Sequence, residues 1–329
     1  MAAESVRGAA RRRVPASTVK RKASINIIGA GRMGTALALA LASKGYRIEA
    51  VVAKRRSHAL ACAELIATEP LALTSAQLDL LPASDILFIT TPDDAIESTA
   101  LRLAAIWKSR ARRTKGRGEQ EGVLKPAVVL HASGALSSSS LQSLSEQGFA
   151  VGSLHPLISV SDSLQGAKAL GSAFFCVEGD AQARRVARSL VRALGGKDFS
   201  IKAKDKALYH AAAVMASGHV TALFDLAVAM LKDCGLTGSS ARKVLLPLLA
   251  STLENLRTAE PEYALTGTFA RADKATVSKH LEALRQAAMP DALAAYTLLG
   301  LRSLLLAGCA GANLDALREI ALILAEVKT

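Results

Sequence analysis

Aromatic residues are scarce in this 329-residue chain: seven Phe, four Tyr and one Trp make up 4% of it. Acidic residues are also short, 28 against 41 Lys and Arg, and the formal charge is +13. Such a balance suggests nucleic acid, but binding an unpaired strand calls for aromatic rings interleaved with the cations, and none are interleaved here. The excess charge is also confined. Residues 1–22 carry seven basic groups against Glu4, and 107–125 carry seven against Glu119 and Glu121. Both segments are poor in large apolar residues, as solvated tails and loops are. No nucleic-acid partner is expected. Cysteine is rare as well. Cys62, Cys176, Cys234 and Cys309 stand far apart and match no zinc or dithiol spacing. No metal is expected, and the thiols are those of a cytoplasmic protein. The basic N-terminus lacks the apolar core of a secretion signal. Residues 207–224 contain no Lys, Arg, Asp or Glu, a span-like length. Two histidines and the Ser217-Gly218 pair favour a buried helix there, so no membrane is expected.

What is present begins at residue 24. The stretch "INIIGAGRMGTALALALASKGY" places a short apolar strand before Gly29-x-Gly31-x-x-Gly34 and an Ala/Leu helix after it. Glycines at this spacing allow a tight turn, close approach to a pyrophosphate, and close packing of helix on strand. The helix start, with Arg32 and Met33, turns backbone N–H groups toward the phosphates. A second strand, "RIEAVVA", ends in Lys54, Arg55, Arg56 and Ser57. An acid at that strand end would hold a ribose 2′-hydroxyl; three cations and a serine suit a 2′-phosphate. NADP(H) is the expected cofactor.

Further strands follow at 85–92, 127–134, 150–156 and 172–179, with helical patterns between them and a last strand near 195–201. Strand–helix alternation predicts an α/β Rossmann-like doubly wound sheet, followed by an all-helical C-terminal domain. The expected organisation is a basic tail over 1–23, an NADP-binding domain over 24–201 with a basic loop at 107–125, and a helical domain over 202–329. Ligands of such sheets bind beyond the carboxyl ends of the strands. Three candidate groups fall there: Thr91-Pro92, the His131-Ala132-Ser133-Gly134 turn, and His155-Pro156. The long Ala/Leu-rich helices of the second half need another surface to cover them, which points to a homodimer.

The helical half opens with "DKALYHAAAVMASGHVTALFDLA", residues 205–227. At about 100° per residue, Lys206, His210, Ala213, Ser217 and Thr221 share an arc of roughly 80°. Lys206 follows Asp205, the expected N-cap, and a cation in a first turn is disfavoured by the helix dipole and inclined to give up its proton.

Five motifs in this order, "INIIGAGRMGTAL", "HASGALSSSSL", "GSLHPL", "KALYHAAAV" and "LTGTFARAD", resemble a family that joins a Rossmann-like domain to a helical domain of unknown function. Its architecture is similar to the 6-phosphogluconate dehydrogenase-like superfamily, which includes ketopantoate reductases, β-hydroxyacid dehydrogenases and pyrroline-5-carboxylate reductases. The resemblance implies an NADP-dependent oxidoreductase acting on a small carboxylate, with a 2-keto acid such as ketopantoate as the expected substrate. β-Hydroxyacid dehydrogenases carry Lys-x-x-x-Asn on the helix entering the second domain; here Lys206 matches and His210 replaces the asparagine. Gly152-Ser-Leu-His155-Pro156 resembles the glycine-x-x-histidine-proline turn of prephenate dehydrogenases. On this reading Lys206 protonates a forming alkoxide, and His155 and His210 orient it or the carbonyl. Ser133 and Ser217 line the substrate, while Gly134 lies at the nicotinamide. Arg271 clamps a carboxylate and Asp273 orients Arg271. Rival expectations are a prephenate or arogenate dehydrogenase, a cyclic-imine reductase, electron exchange with a deazaflavin, and a non-catalytic NADP-binding sensor or scaffold.

Overall fold

Short, mostly apolar runs of three to eight residues build the sheet. In the computed structural model, which describes residues 22–115 and 126–327, β1 (Ser24–Ile28) leads to α1 (Arg32–Ser43), β2 (Arg47–Ala53), α2 (Arg56–Glu64), β3 (Leu71–Thr74), β4 (Ile86–Ile89), α3 (Asp93–Lys115) and β5 (Val128–His131). Then come α4 (Gln142–Ser145), β6 (Ala150–Leu157), α5 (Ser163–Ala169), β7 (Phe174–Gly179), α6 (Ala181–Leu194) and β8 (Lys197–Phe199). The rest is helical: α7 (Lys206–Met215), α8 (Gly218–Asp233), α9 (Gly238–Thr258), α10 (Pro261–Ala264), α11 (Lys274–Gln286), α12 (Pro290–Cys309) and α13 (Leu314–Ala325). The chain divides into two compact units, the first ending at Ala213 and the second starting at Val214. Most of the expected basic tail, and 116–125 of the expected basic loop, lie outside the described residues.

The eight strands run in the order β3-β2-β1-β4-β5-β6-β7-β8. All pairings are parallel except β6 with β7. Alternation along the strands feeds two cores. Ile25, Ile27, Phe88 and Leu130 face one side with Leu37 and Leu41 of α1 and Leu190 of α6. Ile28, Ile89, Val129 and Val151 face the other with Leu103 and Trp107 of α3. Strands covered on both faces read as continuous apolar runs, and β1, β4 and β5 are buried at every position. The order reverses at β1, where β2 lies on one side and β4 on the other; a crevice at that switch point is where such sheets take ligands.

The structure departs from the sequence reading in four places. Strand β3 was not expected; it is only four residues long and only Leu73 is buried, so it lacks a strong apolar signal. Residues 107–115, expected to begin a solvated loop, are the last turns of α3, anchored by Trp107 against Phe149 at a ring separation of 4.7 Å. The helix expected over 205–227 is interrupted between Met215 and Gly218, at the Ser-Gly pair. His155 is inside β6, which runs on to Leu157. Because His131, the last residue of β5, pairs with Ser153, His155 still stands two residues beyond the carboxyl edge of its neighbour.

In the second unit a core forms around Val277, Leu281, Leu304, Ile320 and Leu324 of α11, α12 and α13. By contrast, α8 buries only Val228 and α9 only Ala241.

Candidate active site

The turn between β1 and α1 is shaped by its glycines, each for a different reason. Gly29 has φ +115°, and a Cβ there would sit 2.5 Å from the carbonyl carbon of Thr90. A Cβ on Gly34 would collide with the Gly29 carbonyl oxygen and meet Thr90 Oγ1 at 2.5 Å. Only Gly31 faces open space, with nothing within 4 Å. Thr90 Oγ1 donates to the Ile28 and Gly29 carbonyls, so β4 braces the turn. Gly31 is the N-cap of α1, which has no side-chain cap and no acid in its first turn, leaving its N–H groups and dipole for an anion. Arg32 is exposed there, and Met33 is half-buried against the sheet core. Beside them Thr91 Oγ1 is buried without a hydrogen-bond partner, while Pro92 is exposed. At the end of β2, Lys54, Arg55, Arg56 and Ser57 are all exposed, and Arg55 is the uncapped N-cap of α2. An open glycine, a free helix start, an orphaned hydroxyl and a cationic strand end fit a dinucleotide carrying a 2′-phosphate.

The loop after β5 is tied down by its own residues. His131 is fully buried; its Nε2 lies 3.0 Å from the Ser137 carbonyl and its Nδ1 accepts from the Ser133 N–H at 3.2 Å. Those partners make it the neutral Nε2–H tautomer. Ser133 Oγ accepts from the N–H groups of Ala135 and Leu136, closing the turn. Glu178 of β7 accepts from Ser138 N–H and Oγ, both at 2.7 Å. Under the loop sits Lys206, 1% exposed, whose Nζ donates to the Ser133 carbonyl at 3.0 Å and to Ser153 Oγ at 2.9 Å. Ser153 Oγ in turn donates to the same carbonyl. A buried ammonium needs such partners; burial lowers its pKa, opposed by the charges of Cys176, Glu178 and Asp93.

Gly134 then presents a bare Cα to two imidazoles. A methyl there would collide with His210 Nδ1 and lie 2.9 Å from both Cε1 and Nε2 of His155. The two rings meet edge to face at 5.6 Å. His210 Nδ1 is buried with no partner, whereas His155 Nδ1 is 2.7 Å from Tyr209 Oη. Burial, then the charge of Lys206, holds His155 down to about 3. Burial also holds His131 down to about 4, with Lys206 adding and the Ser137 bond opposing. Both are neutral at physiological pH.

Thus Ser133, Gly134, His155, Lys206 and His210 come together within the first unit. Ser217, Arg271 and Asp273 belong to the second. Ser217 is the N-cap residue of α8. Asp273 caps α11, accepting from Thr276 N–H at 3.0 Å and Thr276 Oγ1 at 2.7 Å. No ion pair joins Asp273 to Arg271 among the described residues; the carboxylate is taken up by the helix start, and its pKa is lowered first by the Thr276 hydrogen bonds and then by the charge of Arg271. Arg271 is exposed. The sequence reading missed Tyr209 and Ser153. Tyr209 follows from helical pitch, three residues after Lys206, and Ser153 from its place two before His155 on one face of β6.

Residues 24–111 match the family described as NADP oxidoreductase, coenzyme F420-dependent. Residues 173–303 match a domain of unknown function. The chain pairs these two domains. Residues 24–111 are therefore the NADP-binding part of an oxidoreductase. No protein of curated function matches the chain by sequence. Among solved structures, a Bacteroides fragilis protein provisionally described as an NADP oxidoreductase is 22% identical, with 86% of this chain and 98% of that one covered at a TM-score of 0.67. A reductive aminase from Aspergillus terreus, in complex with NADPH and ethyl levulinate, is 18% identical over 91% and 99%, with a TM-score of 0.58. A Plasmodium falciparum pyrroline carboxylate reductase with NADP bound is 12% identical over 92% and 98%, at 0.51. At these identities the likeness is one of fold.

Proposed function

We propose that this protein uses NADPH to reduce a small carbonyl compound, a 2-keto acid of the ketopantoate type being the first candidate. The observation that carries this reading is the convergence of His155 and His210 on the bare Cα of Gly134. It lies at the end of β5, two strands from the open Gly31 turn, about 10 Å by strand spacing. NADPH, when bound, supplies the hydride, and the product oxygen takes its proton from solvent. A neutral imidazole N–H polarises a carbonyl without titrating near pH 7, and a nearby fixed cation stabilises the charge that develops on oxygen. Lys206 supplies that charge. With its Nζ enclosed between Ser133 and Ser153, we assign it a supporting place beneath the Gly134 loop, and give the substrate-contacting role to His155 and His210. Prephenate or arogenate as substrate would use the same histidine pair.

A second reading, reduction of a C=N bond, draws support from the fold shared with the reductive aminase and the pyrroline carboxylate reductase. The family description of residues 24–111 also brings a deazaflavin acceptor into the test. The experiment is NADPH oxidation with 2-keto acids, cyclic imines and a deazaflavin, by the wild-type chain and by His155→Gln. We expect keto-acid turnover, reduced about 10²-fold in the variant with NADPH affinity unchanged. Equal turnover would remove His155 from the chemistry. NADPH that binds and is oxidised by none of them would favour the non-catalytic sensor or scaffold.

A further inference from the structure

Tyr209 takes no part in the reading above. Its ring packs edge-on against His155 at 5.6 Å and Phe199 at 5.7 Å, and Lys206 Nζ stands 5.7 Å from the ring centroid. The contact between its Oη and His155 Nδ1, at 2.7 Å, holds a single proton between the two atoms. The direction of that hydrogen bond decides what His155 offers at its other nitrogen. If Nδ1–H donated to the phenol oxygen, the phenol proton would need a second acceptor. The hydroxyl makes no other hydrogen bond among the described residues, and a donor left unmatched in a part-buried setting is costly. If Tyr209 donates instead, Nδ1 is satisfied and the imidazole proton moves to Nε2. The ammonium beside the ring reinforces this direction, since a nearby cation makes the O–H a stronger donor. Burial keeps the phenol protonated by raising its pKa.

Resting on the Gly134 reading, we propose that Tyr209 is a positioning residue that fixes His155 as the Nε2–H tautomer, so that the edge facing Gly134 is a permanent hydrogen-bond donor. The consequence is a choice of substrate class. A donor backed by the Lys206 cation suits an atom that has a lone pair and gains negative charge, a carbonyl oxygen. It opposes a protonated iminium, which has no lone pair and already carries positive charge. The niche therefore selects C=O over C=N⁺.

The test needs no ligand. The full chain, labelled with ¹⁵N-histidine, reports each ring's tautomer through its two nitrogen shifts and their couplings to the ring protons; His155→Gln identifies the His155 signals. The expected pattern is a single neutral Nε2–H ring that persists from pH 8 to pH 5. Tyr209→Phe converts it to a mixture of tautomers. A wild-type His155 in the Nδ1–H form, a mixture in the wild type, or a pattern unaltered by Tyr209→Phe each overturns the proposal. Should Tyr209→Phe fail to fold, the wild-type pattern decides alone. NADPH titration of the same sample keeps the two claims apart: an Nε2–H ring without NADPH binding upholds the tautomer assignment and faults the functional reading.

Discussion

His131 and His155 bring the fold's effect on single residues within reach of a stability measurement. Their folded pKa values, about 4 and about 3, lie below the ordinary imidazole value near 6.5. Above that pH both are neutral folded or unfolded and contribute no pH dependence. As pH falls through 6.5, the unfolded chain binds protons that the folded chain refuses, so stability drops. The slope approaches about 1.4 kcal/mol per pH unit for each histidine, down to about 4 for His131 and about 3 for His155. Urea unfolding between pH 7 and pH 5, above the range of ordinary carboxylates, should show this decline, shallower in His155→Gln. A flat profile would mean that these rings are not held neutral. At this scale much of the site was legible in the sequence: "HASG" and "GSLHP" are polar groups set into apolar strands, and the lysine heads a greasy helix. Ser153 and Tyr209 were not, because a serine in a strand or a tyrosine in a helix reads as ordinary until its neighbours are placed. The setting of Lys206 was hidden for a related reason. The sequence suggests a first-turn cation, and only packing reveals that its ammonium is sealed beneath a loop.

Elements come together at the β1–α1 turn. Gly34→Ala should cost about 1–3 kcal/mol or more by overpacking, since its methyl meets the Gly29 carbonyl and Thr90 Oγ1. It should weaken NADPH binding in parallel, by prying α1 from the sheet. Thermal unfolding and cofactor titration check the pair; an alanine tolerated in both would mean that α1 can shift freely. The glycine spacing announced this turn in the sequence because each glycine answers a steric demand. Strand β3 gave no such signal, being short and half-covered; the break between Met215 and Gly218 was marked only by a Ser-Gly pair in a stretch whose apolar residues run on unchanged. "LTGTFARAD" shows the converse. It looks like a charged clamp and is, at Asp273, a helix cap.

On the scale of the whole molecule, the second unit carries long helices with little of their surface covered. Leu246, Leu248, Leu253 and Leu256 of α9, and Leu298 and Leu305 of α12, are exposed. Two stretches, Ala203–Asp233 and Pro290–Cys309, are long and apolar enough to cross a membrane, each with mean hydropathy 1.6. We assign these faces to a second copy of the chain, as apolar patches of this extent mark an interaction surface. Light scattering behind size exclusion, without detergent, should give twice the chain mass, and Leu246→Lys with Leu253→Lys should halve it. A monomer at all concentrations would contradict the assignment.

The central claim is that the strand ends of the first unit form an NADPH-specific site, and it is tested most directly by fluorescence titration with NADPH and NADH. The predicted result is NADPH bound at least about tenfold more tightly, with the preference erased in Arg55→Ala/Arg56→Ala. Equal affinity for the two, or binding of neither, would contradict it.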